Sequence, residues 1–316
     1  MTNSRRTFIR NSVIAAAGLP LLKCGSGDGK STTTPMNPST EMDNSALPYL
    51  DTIGLQLWSV RDQWQEDAPT TFKALAEIGY QQLELMDTRH AEELVPLAKE
   101  HGMAVNSSFI NWNTVTGGWQ YTPDDTPFEY AEVIDQAAEH GLSHLVFGYL
   151  RPEERETADQ WKKLADDLNV AGEKAKASGL QLTYHNHNFE WDPIAGTTGF
   201  DILIDRMDGD LVPFELDVFW AQIAGQDAKA TMTKIKDRLE LLHLKQLHRG
   251  TPVVTRIADV PENAFEELPD GDMPIKDLMR FGKSLGVKYC MVEQDGNYDT
   301  SSLKSVETSL EFLRKA

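Results

Sequence analysis

The feature that most constrains the fold is an alternation, repeated eight times from residue 52 onward, of short apolar runs with longer amphipathic ones. The apolar runs predict strands at 52–58, 81–86, 104–109, 144–149, 181–187, 212–218, 239–245 and 289–294. Four of the intervening helical patterns stop at a glycine, as helix C-termini often do, namely at Gly79, Gly102, Gly141 and Gly179. Eight such units without a long break in composition predict a single-domain α/β fold, a closed (β/α)8 TIM barrel over residues 49–316.

A doubly wound open sheet is the rival arrangement for alternating strands and helices. Such a sheet usually carries a glycine-rich phosphate-binding turn directly after its first strand. Here that position reads Leu57-Trp58-Ser59-Val60-Arg61, which contains no glycine. The barrel is therefore the favoured interpretation.

The N-terminus is interpreted as a signal for export. Arg5 and Arg6 precede Phe8 and an apolar stretch, Val13 to Leu22, that is shorter than the ~20 residues needed to span a bilayer. The paired arginines resemble a twin-arginine signal, so residues 1–24 are predicted to direct the protein to the periplasm.

A lipid anchor at Cys24 is left open by the residues around it. Cys24 stands where the cysteine of a lipoprotein would stand, but Lys23 departs from the small residue usual before it. Residues 25–48 are rich in Gly, Ser, Thr and Pro, which predicts a flexible linker between the leader and the barrel. The second cysteine, Cys290, lies in an apolar strand and is interpreted as a core residue.

The net charge of the chain is −19 at neutral pH. A surface of this sign repels the phosphate backbone of nucleic acids. The charge therefore argues against a nucleic-acid partner, and with it against a metal-dependent endonuclease built on the same fold.

Polar residues occur among apolar neighbours at the ends of several predicted strands. In a TIM barrel the C-terminal ends of the strands form the active site. His185 and His187 lie on the last part of strand five and face the same side of it, and Asp217, His243 and Glu293 stand near the ends of the next three strands. Imidazoles and carboxylates that converge in this way suit Mn²⁺, Zn²⁺, Co²⁺ or Fe²⁺ better than Ca²⁺. The residue types do not choose among these four metals.

Further candidates for catalysis, among them Lys245 at the end of strand seven, are spread over the same strand ends. Glu84, on strand two, is interpreted as a base, a ligand of sugar hydroxyls or a partner of Lys245. Glu190, just beyond strand five, is interpreted as a base or as a residue supporting the site. The general base is left open among Glu84, Glu190, Glu293 and His187.

Six of the seven tryptophans follow predicted strands, and three of them, Trp58, Trp112 and Trp220, are predicted to contact substrate. Aromatic faces stack on the apolar face of a sugar ring. The loop over residues 250–272 is acidic, where many barrels hold a phosphate. Together these features predict an unphosphorylated sugar as the substrate.

Five stretches resemble the xylose isomerase-like TIM barrels of the sugar phosphate isomerase/epimerase type. They are Ile53-Gly54-Leu55-Gln56-Leu57-Trp58-Ser59-Val60-Arg61, Tyr184-His185-Asn186-His187-Asn188-Phe189-Glu190, Glu215-Leu216-Asp217-Val218-Phe219-Trp220, His243-Leu244-Lys245 and Glu293-Gln294-Asp295. The resemblance covers roughly residues 50–316, and the strand-five stretch is its most specific part.

The resemblance implies one divalent metal bound at the strand ends. Asp217, His243 and Glu293 match the family's ligands on strands six, seven and eight. The strand-five ligand is a glutamate in the ketose 3-epimerases of the family, whereas this chain has His185 there. Because those epimerases use two glutamates as bases, the substitution argues against the same two-base epimerisation.

The resemblance implies enolate chemistry on a sugar; two hypotheses follow from it, and a third belongs to another functional class. The first is a sugar isomerase or epimerase, in which a metal stabilises an enolate while a base moves the adjacent proton. The second is a lyase that cleaves 3-keto-glycosides by elimination, as similar exported members of the family do. The third is a carbohydrate-binding lipoprotein without catalytic activity.

Overall fold

A computed structural model describes residues 46–315, and these form the predicted closed barrel of eight parallel strands. We number the barrel strands in chain order. They are β1 (Gly54–Gln56), β2 (Gln82–Leu85), β3 (Ala104–Phe109), β4 (His144–Phe147), β5 (Gln181–His185), β6 (Phe214–Asp217), β7 (Leu239–Leu244) and β8 (Tyr289–Val292). Each strand pairs with its neighbours in sequence, and β1 closes the barrel on β8.

One main helix follows each strand. These helices are α1 (Ala68–Ile78), α2 (Ala91–Glu100), α3 (Tyr130–His140), α4 (Ala158–Ala177), α5 (Gly199–Arg206), α6 (Ala228–Lys234), α7 (Ile275–Leu285) and α8 (Ser302–Arg314). Shorter helices occupy the loops at Arg61–Trp64, Asn113–Thr116 and Val218–Ile223. Two-residue strands form small hairpins, Pro193–Ile194 with Thr197–Thr198 and Gln246–Leu247 with Phe265–Glu266.

The helix ends follow from local sequence. Asp67 caps α1 by accepting a hydrogen bond from the Thr70 amide, and Gly79 ends that helix in the left-handed conformation with φ of 106°. Thr157 and Gln160 form a capping box at the start of α4. The glycine stops read from the sequence are confirmed where α1 and α3 end directly at Gly79 and Gly141.

The observed strands are shorter than most of the predicted ones, chiefly at their C-terminal ends. β4, predicted over 144–149, ends at Phe147, and β5, predicted over 181–187, ends at His185. The remaining residues of the apolar runs turn out of the sheet and form the walls of the barrel mouth. Most of their side chains, Trp58 excepted, are wholly or partly buried, so they have the composition of a strand without its pairing.

The register of the strands determines which interior side chains meet. His185 on β5 pairs with Glu215 on β6, and Asp217 on β6 pairs with His243 on β7. On the opposite side of the barrel, Glu84 on β2 pairs with Gln56 on β1. Parallel pairing in this register places all these side chains at one end of the barrel.

The predicted leader (residues 1–24) and most of the predicted linker (residues 25–48) lie outside the described residues. The same holds for Cys24, where a lipid anchor is left open. In the part of the chain that the structure describes, no helix combines the length and apolarity needed to cross a membrane.

Candidate metal centre and substrate pocket

A pocket of about 620 Å³ opens at the C-terminal ends of the strands. Aromatic side chains form much of its wall: Trp58, Phe109, Trp112, Tyr149, Trp220 and Phe265. Its polar lining consists of Gln56, Asp87, Arg89, Asn111, Asp125, His185, His187, Lys245, Glu293 and Asp295. Both the volume and the mixture of apolar walls with a few polar groups are typical of small-molecule sites.

Asp217 lies at the centre of the polar cluster, where β6 ends. Its Oδ1 accepts a hydrogen bond from the Trp220 amide at 3.0 Å and so caps the short helix Val218–Ile223. Its Oδ2 is buried and accepts no well-directed hydrogen bond, although Lys245 Nζ lies 3.1 Å away. A buried carboxylate oxygen in this state is costly unless a cation is nearby.

Two histidines face Asp217 Oδ2 at equal distance. His185 Nε2 and His243 Nδ1 are each 3.9 Å from this oxygen. The other ring nitrogen of each histidine is held by a buried glutamate: His185 Nδ1 is 3.1 Å from Glu215 Oε2, and His243 Nε2 is 2.7 Å from Glu84 Oε1. A carboxylate behind a histidine orients the ring and leaves its second nitrogen for a metal.

Glu293 completes the cluster from the end of β8. Its Oε2 lies 2.6 Å from His243 Nδ1 and 2.9 Å from Lys245 Nζ. Lys245 also contacts Asp295 Oδ2 at 2.9 Å, so one ammonium group contacts three carboxylates, those of Asp217, Glu293 and Asp295. This lysine compensates negative charge that would otherwise be buried unpaired.

The donor set fits a divalent metal. The ligand atoms of Asp217, His243 and Glu293 all lie within 4.8 Å of one another, and His185 Nε2 approaches the same carboxylate oxygen. Two imidazoles and two carboxylates form the mixed nitrogen and oxygen set expected for a first-row transition metal. His185, Glu215 and His243 form a second such group, but there the His243 nitrogen that faces Glu215 already contacts Glu84, and Glu215 Oε2 already contacts His185 Nδ1.

Burial and neighbouring charges set the protonation of the two histidines in opposite directions. Burial, with the charge on His243, holds the pKa of His185 well below its usual range, so His185 is neutral. Burial also disfavours the charged form of His243, but Glu215, Glu84 and Glu293 outweigh it and raise the pKa of His243 well above its usual range. Burial and the charge of Glu84 raise the pKa of Glu215 to about 8.

Glu84 lies beneath the cluster and does not line the pocket. Its Oε1 accepts from Gln56 Nε2 at 3.0 Å and its Oε2 accepts from Ser107 Oγ at 2.5 Å, in addition to the contact with His243. The predicted pairing of Glu84 with Lys245 is not formed, because His243 lies between β2 and the lysine's carboxylate partners. Because Glu84 is not among the residues that line the pocket, it does not contact a substrate there directly.

Glu190 and His187 belong to the loop after β5. Glu190 is buried, accepts from the Tyr184 hydroxyl at 2.9 Å and from the His187 amide at 2.9 Å, and does not line the pocket. His187 does line it, and its ring stacks on Phe189 at 5.4 Å and lies 5.0 Å from the ring of Trp220. Glu190 thus supports the turn that presents His187. Burial raises the pKa of Glu190 to about 7 and lowers that of His187 to about 3.

The three tryptophans predicted to contact substrate all line the pocket. Trp58 is exposed at its mouth, Trp112 packs against Tyr149 with ring centroids 4.8 Å apart, and Trp220 lies 5.2 Å from Lys245 Nζ. The other tryptophans that follow strands do not line it. Trp64 packs on His90, Trp119 on Phe128 and Trp191 on Phe200.

Two residues of the cluster had no role assigned from the sequence. Glu215 is two residues before Asp217, so both side chains point to the same side of β6, and this spacing was the available signal. Asp295 lies beyond the end of β8, where strand periodicity no longer applies, and only the contact with Lys245 reveals it.

The family described as Xylose isomerase-like TIM barrel matches residues 72–316 of this chain. An inosose dehydratase of Clostridium perfringens is 27% identical over 155 residues, which cover 47% of this chain and 48% of that protein. The chain is thus matched over only about half the length of this curated relative.

Two solved structures have the same architecture. A sugar phosphate isomerase/epimerase from Parabacteroides distasonis superposes with a TM-score of 0.68 at 24% identity, covering 87% of this chain and 96% of that one. A 3-keto-D-glucoside 4-epimerase from E. coli superposes with a TM-score of 0.60 at 16% identity, covering 84% and 99%. At these identities the likeness concerns the fold alone.

Proposed function

Because this chain belongs to the xylose isomerase-like TIM barrel family, we propose that it is a divalent-metal-dependent enzyme that acts on an unphosphorylated sugar. Its reaction is an isomerisation or epimerisation that begins by removing a proton next to a carbonyl group. The single observation that carries the proposal is the cluster of His185, Asp217, His243 and Glu293 around the buried Oδ2 of Asp217, in which His185 and Glu293 also line the pocket.

The residues of the cluster have separate duties in this proposal. Asp217, His243, Glu293 and His185 would hold the metal, while Glu84 and Glu215 keep the two imidazole rings in orientation. When bound, the metal would polarise a substrate carbonyl and stabilise the negative charge that develops on its oxygen. Lys245 limits the repulsion among the carboxylates of this floor.

The proton acceptor must line the pocket, which restricts the candidates. Glu293, Asp295 and His187 meet this condition, whereas Glu84 and Glu190 do not. Asp295 approaches from the end of β8 and His187 from the loop after β5, with Trp220 next to His187. We propose that one of these groups takes the proton from carbon and that another returns it or protonates an oxygen of the sugar.

A lyase that cleaves 3-keto-glycosides by elimination is the second candidate. It shares the first step, after which the electron pair expels a group from the neighbouring carbon. The pocket extends beyond the metal cluster toward the loops after β2 and β3, and this additional space favours the lyase. The name of one sequence relative, an inosose dehydratase, also supports a reaction that expels a group from the substrate.

The metal is tested by comparing Asp217→Asn with the wild-type protein. Asparagine keeps the Oδ1 cap on Trp220 but replaces the unpaired Oδ2 by an amide nitrogen that cannot bind a metal. We expect about one divalent ion per wild-type chain by mass spectrometry, and a loss of that ion in the variant. Asp205→Asn, at an exposed position of α5, is the matched control and should keep the ion.

The absence of metal from the wild-type protein, with no rise of its melting temperature in Mn²⁺, Zn²⁺, Co²⁺ or Fe²⁺, would refute the metal centre. A ligand that binds only the folded state, and whose concentration is about 100 times its dissociation constant, stabilises that state by about 2.7 kcal/mol. Such an effect is readily measured. It would also separate the enzyme from a metal-free carbohydrate-binding protein.

The reaction is tested by incubating the metal-loaded protein with free ketoses and, separately, with a 3-keto-glucoside. Chromatography should show a new sugar isomer in the first reaction if the protein is an isomerase or epimerase. Release of the aglycone in the second would instead support the lyase. No product from either set, with the metal bound, would contradict both.

A further inference from the structure

The pocket has a second polar region that the proposed metal chemistry does not use. It lies where the loops after β2 and β3 meet, and we call it the distal rim: Asp87, Arg89, Asn111 and Asp125. The candidate ligands come from β5, β6, β7 and β8. Because β2 is opposite β6 and β3 is opposite β7 in the closed barrel, the distal rim faces the cluster across the mouth.

Internal contacts hold the distal rim in place before any ligand binds. Arg89 Nε and Nη2 donate to Asp87 Oδ2 at 3.0 and 2.6 Å, and the Arg89 amide donates to Asp87 Oδ1 at 2.9 Å. The guanidinium group also lies 5.0 Å from the ring centre of Phe128. A side chain fixed on two sides loses little conformational entropy when it binds a ligand.

The second loop supplies the other half of the rim. Asn111 Nδ2 donates to Asp125 Oδ2 at 3.3 Å, and Asn111 Oδ1 accepts from the Asn113 amide at 3.0 Å. Within residues 46–315, these hydrogen bonds leave Arg89 Nη1 and Asp125 Oδ1 without a partner. One free donor and one free acceptor therefore lie at the pocket's far side.

The charge of the distal rim favours a neutral ligand with hydroxyl groups. Asp87 already neutralises Arg89, and Asp125 adds a further negative charge, so the rim is not built to hold a phosphate or a carboxylate. A hydroxyl group donates to a carboxylate and accepts from a guanidinium or an amide, and the rim offers all three. Sugar hydroxyls present this combination on adjacent carbons.

An apolar section separates the two polar regions. Phe109 ends β3, with its ring 5.1 Å from that of His185 and 6.0 Å from that of His243. Asn111 follows only two residues later, a distance of at most about 7 Å along the backbone. The ring of Phe109 fits there because Gly148 has no side chain, since a Cβ at that position would come within 2.3 Å of it.

We propose that the distal rim is a second sugar subsite, so that the substrate has two hydroxylated rings, one over the metal cluster and one between Arg89 and Asp125. This inference rests on the proposed function, because it takes a sugar to bind at the cluster. It identifies the substrate class as a disaccharide or similar glycoside. A free monosaccharide would leave the distal rim in contact with water alone.

Binding of stable sugars to the metal-loaded protein tests the subsite by isothermal titration calorimetry. The probes are glucose and three of its disaccharides, maltose, cellobiose and trehalose, which differ in how the second ring is placed. We expect at least one disaccharide to bind about 10-fold more tightly than glucose, the effect of one or two added hydrogen bonds. Equal affinities for all four sugars, or binding of none, would overturn the proposal.

Two variants from different loops assign any such preference to the distal rim. In Arg89→Gln and in Asp125→Ala, the ratio of the disaccharide affinity to the glucose affinity should fall to about one. Arg280→Gln, at the exposed Arg280–Asp277 pair of α7, is the control and should keep the wild-type ratio. A preference that survives both rim variants would also overturn the proposal.

Failure of the subsite can be distinguished from failure of the proposed function. The metal content of Asp217→Asn tests the metal centre without any sugar. If this variant loses the ion while disaccharides bind no better than glucose, only the subsite is wrong. An aryl glucoside that binds more tightly than glucose, by as much as a disaccharide does, provides the comparison. If neither rim variant reduces that gain in affinity, the distal region is an aromatic-stacking surface rather than a sugar subsite.

Discussion

Asp217 shows how one side chain serves both the fold and the site. Its Oδ1 caps a helix through the Trp220 amide, while its Oδ2 points toward two histidines and a lysine. The cap fixes the rotamer of the carboxylate, so the second oxygen is aimed without further support. Substitution by a residue that cannot cap would therefore change the geometry of the whole cluster as well as its charge.

Glu190 should make the stability of the protein dependent on pH. Burial raises its pKa from 4.5 to about 7, so the folded state holds a proton that the unfolded state releases. The stabilisation is fully present below pH 4.5 and is lost as the pH rises through about 7. The loss amounts to at most about 1.4 kcal/mol per pH unit within this window.

We therefore expect Glu190→Gln to remove this dependence. The amide can still accept from the His187 amide and can donate to the Tyr184 hydroxyl, so the turn should persist. The unfolding free energy of the wild type minus that of the variant, from urea denaturation, should fall by about 2 kcal/mol between pH 5 and 7.5. If the difference between wild type and Glu190→Gln stayed constant, Glu190 would be ionised over this whole pH range. The control is Glu139→Gln, at an exposed position of α3, for which the difference from the wild type should not change with pH.

At the level of elements, the register between strands produces the repeated carboxylate–histidine pairing. His185 lies opposite Glu215, and Glu84 reaches His243 across the barrel interior. Register shifts occur between Leu83 and Glu84 and between Phe214 and Glu215, immediately before both of these glutamates. Such irregularities often occur next to active sites, where they re-aim a side chain.

The packing of α4 against the segment before β6 leaves no room at Gly172. A Cβ there would come within 2.7 Å of the Leu211 carbonyl oxygen and 3.0 Å of Val212. Gly172→Ala should therefore destabilise the protein by about 1–3 kcal/mol, because the steric cost exceeds the gain in helix propensity of about 1 kcal/mol.

Thermal unfolding of this variant measures the effect, with Val170→Ala on the same helix as the control. Val170 is 53% exposed, so its truncation should change the stability by no more than about 0.5 kcal/mol. If Gly172→Ala were as stable as the wild type, the distance between α4 and Leu211 would have to be larger than in the structure.

At the scale of the whole molecule, all eight strands and all eight main helices lie within residues 46–315. A chain of residues 46–316 should therefore unfold cooperatively within about 2 °C of the full-length protein, as measured by calorimetry. A chain that begins at residue 60 lacks β1 and would expose the edges of β2 and β8, so it should not unfold cooperatively. A large loss of stability in the 46–316 chain would contradict the expectation that residues 46–316 fold on their own.

The interpretation of residues 1–24 as a twin-arginine signal remains a proposal, and so do periplasmic localisation and a lipid anchor at Cys24. The twin-arginine interpretation rests on Arg5 and Arg6. A reporter fused to residues 1–48 should leave the cytoplasm, and it should stay there when both arginines are replaced by lysine. Export would suit an unphosphorylated sugar, since phosphorylated sugars are mainly intracellular.

Local sequence patterns were enough to predict the barrel and to group most of the cluster. Strand periodicity and glycine stops are local properties, and in a TIM barrel the strand ends meet by construction, so His185, Asp217, His243 and Glu293 could be grouped in advance. The folded structure was needed to show that Glu84 and Glu215 support histidines, that Glu190 is shielded from the pocket and that Lys245 contacts Asp295. These contacts depend on strand register and loop packing across the barrel, which no single segment encodes.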